Sequence, residues 1–209
     1  EGLTIVSVDG YRLALRHEAI DKKEGAETFS FVVPGAALSE VEKICSDVDE
    51  PASVTQGARH VMFKVGDTML VSRRLEGEFL AYRQAIPRNN TIHVEGETRA
   101  LLSSIDRVSL IISDKLKSPL RCVFGDHTLH ITTKTGIGDA SDQCPIDGDG
   151  GGLEIGFNNK YLMDALKAAP ADKVRLELTT GVSPCVILPT EGEENFLYMV
   201  LPMRLKAGE

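Results

Sequence analysis

Two segments of this chain repeat one pattern at a separation of roughly 120 residues, longer than the periods of about 20–50 residues that build solenoids. Phe31-Val32-Val33-Pro34, followed by Leu38 and Val41, resembles Ile155-Gly156-Phe157-Asn158, followed by Leu162 and Ala165. Glu78-Phe79-Leu80-Ala81-Tyr82 likewise resembles Glu194-Asn195-Phe196-Leu197-Tyr198. Each copy reads as a strand, a proline or asparagine cap, a short helix, a linker and three strands. A repeat of this length implies duplicated domains, not an array. The second copy also carries an opening strand and helix over residues 91–112 that the first lacks, and Glu1-Gly2-Leu3-Thr4-Ile5-Val6 starts inside a strand-like run. The expectation is therefore an α+β chain of two domains. Residues 1–88 would be most of one domain, and 89–209 a whole second one.

Local patterning supplies the elements. Residues 3–8 alternate as a strand, Asp9-Gly10 is a turn signal, and Tyr11-Arg12-Leu13-Ala14-Leu15 returns as the second arm of a hairpin. A charged loop follows at 21–25, and 29–33 reads as a strand ended by Pro34, a residue suited to a first helical turn. Leu38, Val41, Ile44 and Cys45 recur at helical spacing. Strands are expected at 53–55, 60–65 and 68–73, with a short connection at 87–90. Residues 97–112 read as an amphipathic helix with Leu101, Leu102, Ile105, Val108 and Ile112 on its apolar stripe. Residues 120–124 and 128–132 are expected to pair across Gly125-Asp126, and the Gly- and Asp-rich run 147–152 to form a surface loop. Asn158 is a good N-cap for a helix carrying Tyr161, Leu162, Ala165 and Leu166. Strands at 174–178, 183–188 and 195–201 complete the chain.

Catalytic and metal chemistry find little support. His17, His60, His93, His127 and His130 are scattered. His127 and His130 have no cysteine or acid at ligand spacing, so no metal site is expected. Asp147-Gly148-Asp149-Gly150 fails as a calcium loop because Gly151 and Asn158 fall where ligands are needed. Gly136-Ile137-Gly138 lacks the third glycine and helix start of a dinucleotide fingerprint. No nucleophile elbow or phosphate loop occurs, and no cofactor is implied. Cys45, Cys122, Cys144 and Cys185 are widely spaced and form no C-x-x-C pair. Without a secretion signal they read as free thiols in a reducing cytoplasm. No apolar run reaches about 18 residues, so no membrane-spanning helix is expected. With 23 basic and 31 acidic residues the net charge is −8, the wrong sign for a protein that grips nucleic acid by many phosphate contacts.

The C-terminal stretch Tyr198-Met199-Val200-Leu201-Pro202-Met203-Arg204-Leu205 is unusually apolar for a terminus. It reads either as the last strand of a sheet or as the wall of a groove in which methionines adapt to varied peptide partners. Lys43, Arg99, Arg107, Lys160 and Lys167 lie opposite the apolar stripes of the expected helices, interspersed with Glu40, Asp106 and Asp164.

Four linked motifs carry a resemblance: Val8-Asp9-Gly10-Tyr11-Arg12-Leu13-Ala14; Glu76-Gly77-Glu78-Phe79 with Tyr82-Arg83 and Ile86-Pro87; Ile155-Gly156-Phe157-Asn158 with Tyr161-Leu162; and Leu201-Pro202-Met203-Arg204-Leu205. In this order and spacing, over essentially the whole chain, they resemble the β sliding clamp, the processivity subunit of bacterial DNA polymerase III. The resemblance implies duplicated DNA-clamp domains with antiparallel sheets outside and two helices per full domain lining a ring. It implies a non-catalytic cytoplasmic, nucleoid-associated protein. Two crescents would close head to tail as a homodimer around duplex DNA and tether the polymerase alpha subunit, the clamp loader and other clamp-motif proteins. An acidic ring of this kind slides because it encloses DNA. The lining helices then need only a mildly positive face. Lys43, Arg99, Arg107, Lys160 and Lys167 become the expected DNA-facing residues.

The resemblance also implies a pocket for a short linear peptide motif. Val8, Gly10, Tyr11, Arg12, Leu13, Leu80, Gln84 and Ala85 would form one side. Val182, Pro184, Met199, Val200, Leu201, Pro202, Met203 and Arg204 would form the other, with Asn158 and Tyr161 at the rim. Apolar walls suit leucine or phenylalanine anchors, and Arg12 and Arg204 suit peptide carbonyls or acids. This chain departs from the family's frequent residues at Val8 (threonine), Leu80 (proline), Gln84 (arginine) and Lys117 (phenylalanine), and it extends past Leu205 by Lys206-Ala207-Gly208-Glu209. The first domain is absent, so the expected state of this chain alone is a monomer or a non-native dimer. The alternative reading is a free-standing peptide-binding scaffold, or an inert clamp fragment, that does not encircle DNA.

Overall fold

In chain order the computed structural model runs β1 (Leu3–Val8), β2 (Arg12–Glu18), α1 (Gly35–Cys45), β3 (Ser53–Gln56), β4 (His60–Val65), β5 (Thr68–Arg73), α2 (Tyr82–Ala85), β6 (Ile92–Glu97), α3 (Thr98–Ser109), β7 (Leu120–Thr135), β8 (Gly138–Phe157), α4 (Asn159–Ala168), β9 (Lys173–Leu178), β10 (Cys185–Pro189) and β11 (Phe196–Val200). The structure describes residues 2–20, 27–46, 48–113, 118–192 and 195–205. The 21–25 loop, Lys117, Glu193, Glu194 and the 206–209 extension lie outside the described residues. Two compact units emerge: Glu1–Asp21 with Gln84–Glu209, and Lys22–Arg83. No helix among the described residues is long and apolar enough to cross a membrane.

The larger unit is built on one antiparallel sheet of order β1-β2-β11-β10-β9-β6-β8-β7. A single residue pair, Glu95↔Asp147, joins β6 to β8. Helices α3 and α4 pack against each other and the sheet because their apolar residues recur every third or fourth position. Thr98, Leu101, Ser104, Ile105 and Val108 of α3 are buried, as are Leu162, Ala165 and Leu166 of α4. They meet Val94, Leu176, Leu178, Cys185, Ile187 and Val200 in one continuous core. Cys122 and Cys185 lie wholly inside it, and burial pushes the Cys122 thiol up to about 12, so it stays protonated and inert at neutral pH.

The smaller unit holds the sheet β3-β4-β5 and helix α1. Val61, Phe63 and Val65 alternate on β4 and are buried, whereas α1 buries no residue.

Several local expectations change. Residues 120–124 and 128–132 do not pair with each other; both belong to β7 and pair with β8, with irregular register between Phe124 and Thr128 and His127 at φ +53°. The Gly-Asp signal there marks a bulge, not a turn. The run at 147–152 is strand within β8, and its glycines permit close approach: a Cβ on Gly150 would stand 2.3 Å from the Phe124 Cβ. Residues 29–33 lie outside any strand, and the helix expected over 97–112 spans Thr98–Ser109. Tyr82 opens the short helix α2 whereas Tyr198 sits inside β11, so the expected match of these two tyrosines is not a structural equivalence. The true correspondence is α1-β3-β4-β5 with α4-β9-β10-β11. One shared hydrogen bond fixes it: Leu75 N–H donates to Val32 O at 2.7 Å, and Met203 N–H donates to Gly156 O at 2.8 Å.

Candidate functional site

One end of the larger sheet gathers most of the residues singled out above. The β1–β2 turn is shaped by Asp9, whose Oδ1 accepts from the Tyr11 amide at 3.1 Å, and by Gly10 at φ +86°. Register then aligns Val8 with Leu13, Leu13 with Met199, and Met199 with Val186. The next row out aligns Arg12 with Val200 and Val200 with Cys185. Successive rows of a pleated sheet face opposite sides. Val200 and Cys185 belong to the helix-covered core, so Arg12 shares that side, while Val8, Leu13 and Met199 lie on the other. The candidate residues thus share one sheet end but divide between its two faces.

Beyond β11 the chain continues as a strap. Leu201 N–H donates to Tyr11 O at 2.9 Å, and Met203 N–H donates to Gly156 O at 2.8 Å. Pro202, between them, has no N–H to leave unpaired. Leu201, Pro202, Met203 and Leu205 are half-buried and Arg204 is exposed. Cys185 pairs with Val200, which puts half-buried Pro184 next to the strap's start. Val182, at the tip of the preceding turn, is 81% exposed. Asn158 caps α4, its side-chain oxygen accepting from the Lys160 and Tyr161 amides. Tyr161, in the first turn, stacks on Tyr11 with ring centroids 6.0 Å apart.

Arg12 is held from beneath by the protein itself. Its Nε donates to Asp9 Oδ2 at 2.8 Å and its Nη1 to Asp164 Oδ2 at 2.6 Å and the Tyr198 hydroxyl at 3.3 Å. Its guanidinium carbon lies 4.5 Å from the centre of the Tyr161 ring, a cation–π contact. Burial works against the charge, but Asp164 and Asp9 outweigh it and push the Arg12 pKa up. Burial likewise raises the Asp9 carboxyl; the Arg12 and Tyr11 hydrogen bonds overcome that and hold it below its ordinary value. A cleft of about 310 Å³ opens beside this cluster, lined in part by Ser7, Asp9, Arg12, Asp164 and Tyr198. Asp9, Asp164, Tyr198 and Gly156 were not among the expected site residues. Asp9 was legible as the leading residue of its turn, and Asp164 as the residue three on from Tyr161 on the same helix.

The remaining candidates are less connected. Leu80 is 55% exposed in the smaller unit. Gln84 and Ala85 are exposed at the end of α2, and among the described residues no hydrogen bond, ion pair or ring contact ties their side chains to the strap. The expected DNA-facing residues are all exposed: Lys43 on α1, Arg99 and Arg107 on α3, Lys160 and Lys167 on α4. Lys43 pairs with Glu40 at 2.7 Å and Arg107 with Asp142 at 2.7 Å, which spends part of their charge locally. Among the described residues no group of three or more His, Cys, Asp or Glu is placed to hold a metal ion.

A model for the central domain of the DNA polymerase III beta subunit matches residues 1–80, and one for its C-terminal domain matches residues 83–204. The chain belongs to the DNA polymerase III beta-subunit family. A beta sliding clamp of Staphylococcus aureus is 31% identical over 204 residues, covering 97% of this chain and 53% of that protein. A solved beta subunit from Eubacterium rectale superposes with a TM-score of 0.87 at 32% identity, covering 97% of this chain and 54% of that one. A Thermotoga maritima beta subunit gives 0.86 at 29%, covering 98% and 55%. A Pseudomonas aeruginosa sliding clamp gives 0.89 at 25%, again covering 98% and 55%. The mixed helix-and-antiparallel-sheet fold is thus that of sliding clamps. The chain spans about half the length of the curated relatives it matches.

Proposed function

We propose that this chain is the C-terminal portion of a sliding clamp, divided into a middle domain over residues 1–88 and a C-terminal domain over 89–209. In the complete protein it closes as a head-to-tail homodimer around duplex DNA. It tethers DNA polymerase III and other clamp-motif proteins, the clamp loader among them, and so confers processivity in the bacterial cytoplasm. It catalyses nothing itself. Family membership supports the reading, and one observation carries it to this chain's residues: the β1–β2 turn, the 201–205 strap and the first turn of α4 converge on one sheet end through the Leu201–Tyr11 and Met203–Gly156 hydrogen bonds and the Tyr11–Tyr161 stack.

A peptide anchor of leucine or phenylalanine type meets apolar walls from Tyr11, Leu201, Pro202 and Met203 at the sheet end, with Asn158 and Tyr161 as rim, while Val8, Leu13 and Met199 lie on the sheet face away from α4, where Leu13 and Met199 are buried and serve by packing. Gln84, Ala85, Val182 and Pro184 extend the same surface. Arg204 is exposed and suited to a peptide carbonyl or acid. Arg12, with Nε and Nη1 already engaged, serves by fixing Tyr161 beneath the rim. Gly10 and Val200 serve through backbone shape and core packing. Lys43, Arg99, Arg107, Lys160 and Lys167 face DNA without binding it tightly, consistent with a net charge of −8 and a topological hold.

The test is fluorescence-polarisation binding of a labelled peptide of the Gln-x-x-Leu-x-Phe type to the full chain. Saturable binding is expected, and loss of it when Arg12→Ala is combined with truncation before Leu201. Unchanged affinity in that variant, or no saturable binding by the folded chain, would overturn the groove.

A further inference from the structure

Gly156 occupies the second position from the end of β8, where the strap crosses it in a one-residue antiparallel bridge with Met203. A Cβ placed there would stand 2.5 Å from the Met203 carbonyl oxygen and 2.8 Å and 3.0 Å from Leu205 Cδ2 and Cγ. Carbon atoms do not approach a backbone oxygen that closely, so any side chain at 156 must push the strap away. The first repeat provides an internal control. There the same hydrogen bond runs from Leu75 N–H to Val32 O at 2.7 Å, from a residue with a branched side chain. The hydrogen bond itself therefore does not demand glycine. What demands it is the depth at which Met203 and Leu205 lie on β8.

The strap is also pinned at its other end by Leu201 N–H to Tyr11 O, with Pro202 fixing the backbone torsion between the two anchors. A wall held at two points loses little further freedom when a ligand binds, which raises affinity without adding a contact. We propose that Gly156 is a positioning residue for the peptide groove: by admitting Met203 and Leu205 to β8 without a Cβ, it sets the depth of the groove wall and thereby the affinity for a peptide with apolar anchors. This rests on the groove reading given above.

The experiment compares the wild-type chain with Gly156→Ala, reading peptide affinity by fluorescence polarisation and amide hydrogen exchange by residue. Gly156→Ala is expected to weaken the Gln-x-x-Leu-x-Phe peptide by about tenfold or more and to accelerate exchange at the Met203 amide, while the Leu162 amide in α4 exchanges as in wild type. A second pair leaves β8 untouched. Met203→Pro removes the anchoring N–H, and Met203→Ala keeps it while removing the side chain. The proline variant should bind more weakly than the alanine variant. Wild-type affinity in Gly156→Ala, weaker binding with unaltered Met203 exchange, or equal affinity of the two Met203 variants would each overturn the assignment. If wild type binds no peptide, the groove reading falls and this role falls with it. Slow Met203 exchange in wild type and fast exchange in Gly156→Ala would still separate that outcome from failure of the strap.

Discussion

At the level of single residues, Arg12 concentrates the most interactions. It meets two carboxylates, a phenol and an aromatic face, and it is only partly exposed, with 26% of its side chain open to solvent. Hydrogen bonds to charged partners are worth about 1.5–3 kcal/mol where water is excluded and less where it is not, so Arg12→Ala should destabilise the larger unit by about 1–2 kcal/mol. Arg12→Lys should restore only part, because a compact ammonium does not span both Asp9 and Asp164 over the Tyr161 ring. The chain has no tryptophan, so tyrosine fluorescence during urea unfolding reports mainly on Tyr11, Tyr161 and Tyr198 around this cluster. The pH dependence has a definite sign. Asp9 is held below its ordinary 3.8 in the folded chain, so its contribution is fully present above the unfolded-state value and is lost as pH falls through the lower folded value. The stability gap between wild type and Arg12→Ala should therefore narrow as pH drops from 7 toward about 3. A gap that stays constant over that range would show that Arg12 is not what depresses the Asp9 carboxyl.

At the level of elements, α4 ties packing to the candidate site, because its first turn carries Tyr161 and its second carries Asp164. Asn158 satisfies two of the orphan amides at that helix start. Asn158→Ala should cost about 1 kcal/mol and open the Lys160 and Tyr161 amides to exchange, whereas Asn158→Asp should keep both the cap and the peptide affinity. Equal exchange in the alanine variant would mean that tertiary contacts alone hold the turn. The cap and the helix were readable in advance, since Asn precedes an apolar stripe at helical spacing, and Leu162, Ala165 and Leu166 are buried as that stripe requires. The β7–β8 ladder was not readable. Gly-Asp and the glycine run at 147–152 carry the same composition whether they form a turn, a loop or a bulged strand in close contact, and only the pairing partner distinguishes these. The match of Tyr82 with Tyr198 failed for a related reason. Similar side chains recur there, but the backbone bonds from Leu75 and Met203 set the repeat in a different register. The proposed groove was legible from residue pattern only as an apolar tail; its individual residues came from family resemblance, and the Arg12 cluster joins Asp164 and Tyr198 to a residue more than 150 positions earlier, which no local pattern carries.

At the level of the whole molecule, the two compact units are unequally provided with core. The larger one joins residues from β6 through β11, with α3 and α4, in a continuous apolar interior. In the smaller one Val61, Phe63 and Val65 are the buried apolar residues among those described, and α1 contributes none. Full burial of a large apolar side chain stabilises by about 1.5–3 kcal/mol, so a core of so few residues scarcely offsets the conformational entropy of ordering its three strands. Local opening free energy should follow that difference. In native-state hydrogen exchange, amides of β4 and β5 should open at a lower free energy than those of β9 and β10, and at low urea they should exchange before global unfolding contributes. Thermal unfolding should correspondingly show two transitions, with the β-sheet signal of the larger unit persisting through the first. The elements of the proposed groove, β1, β2, β11 and the strap, belong to the larger unit, so peptide affinity should survive the first transition. A single transition that removes all protected amides together would mean that the units are energetically one. The smaller unit would then draw its stability from interactions outside its own core.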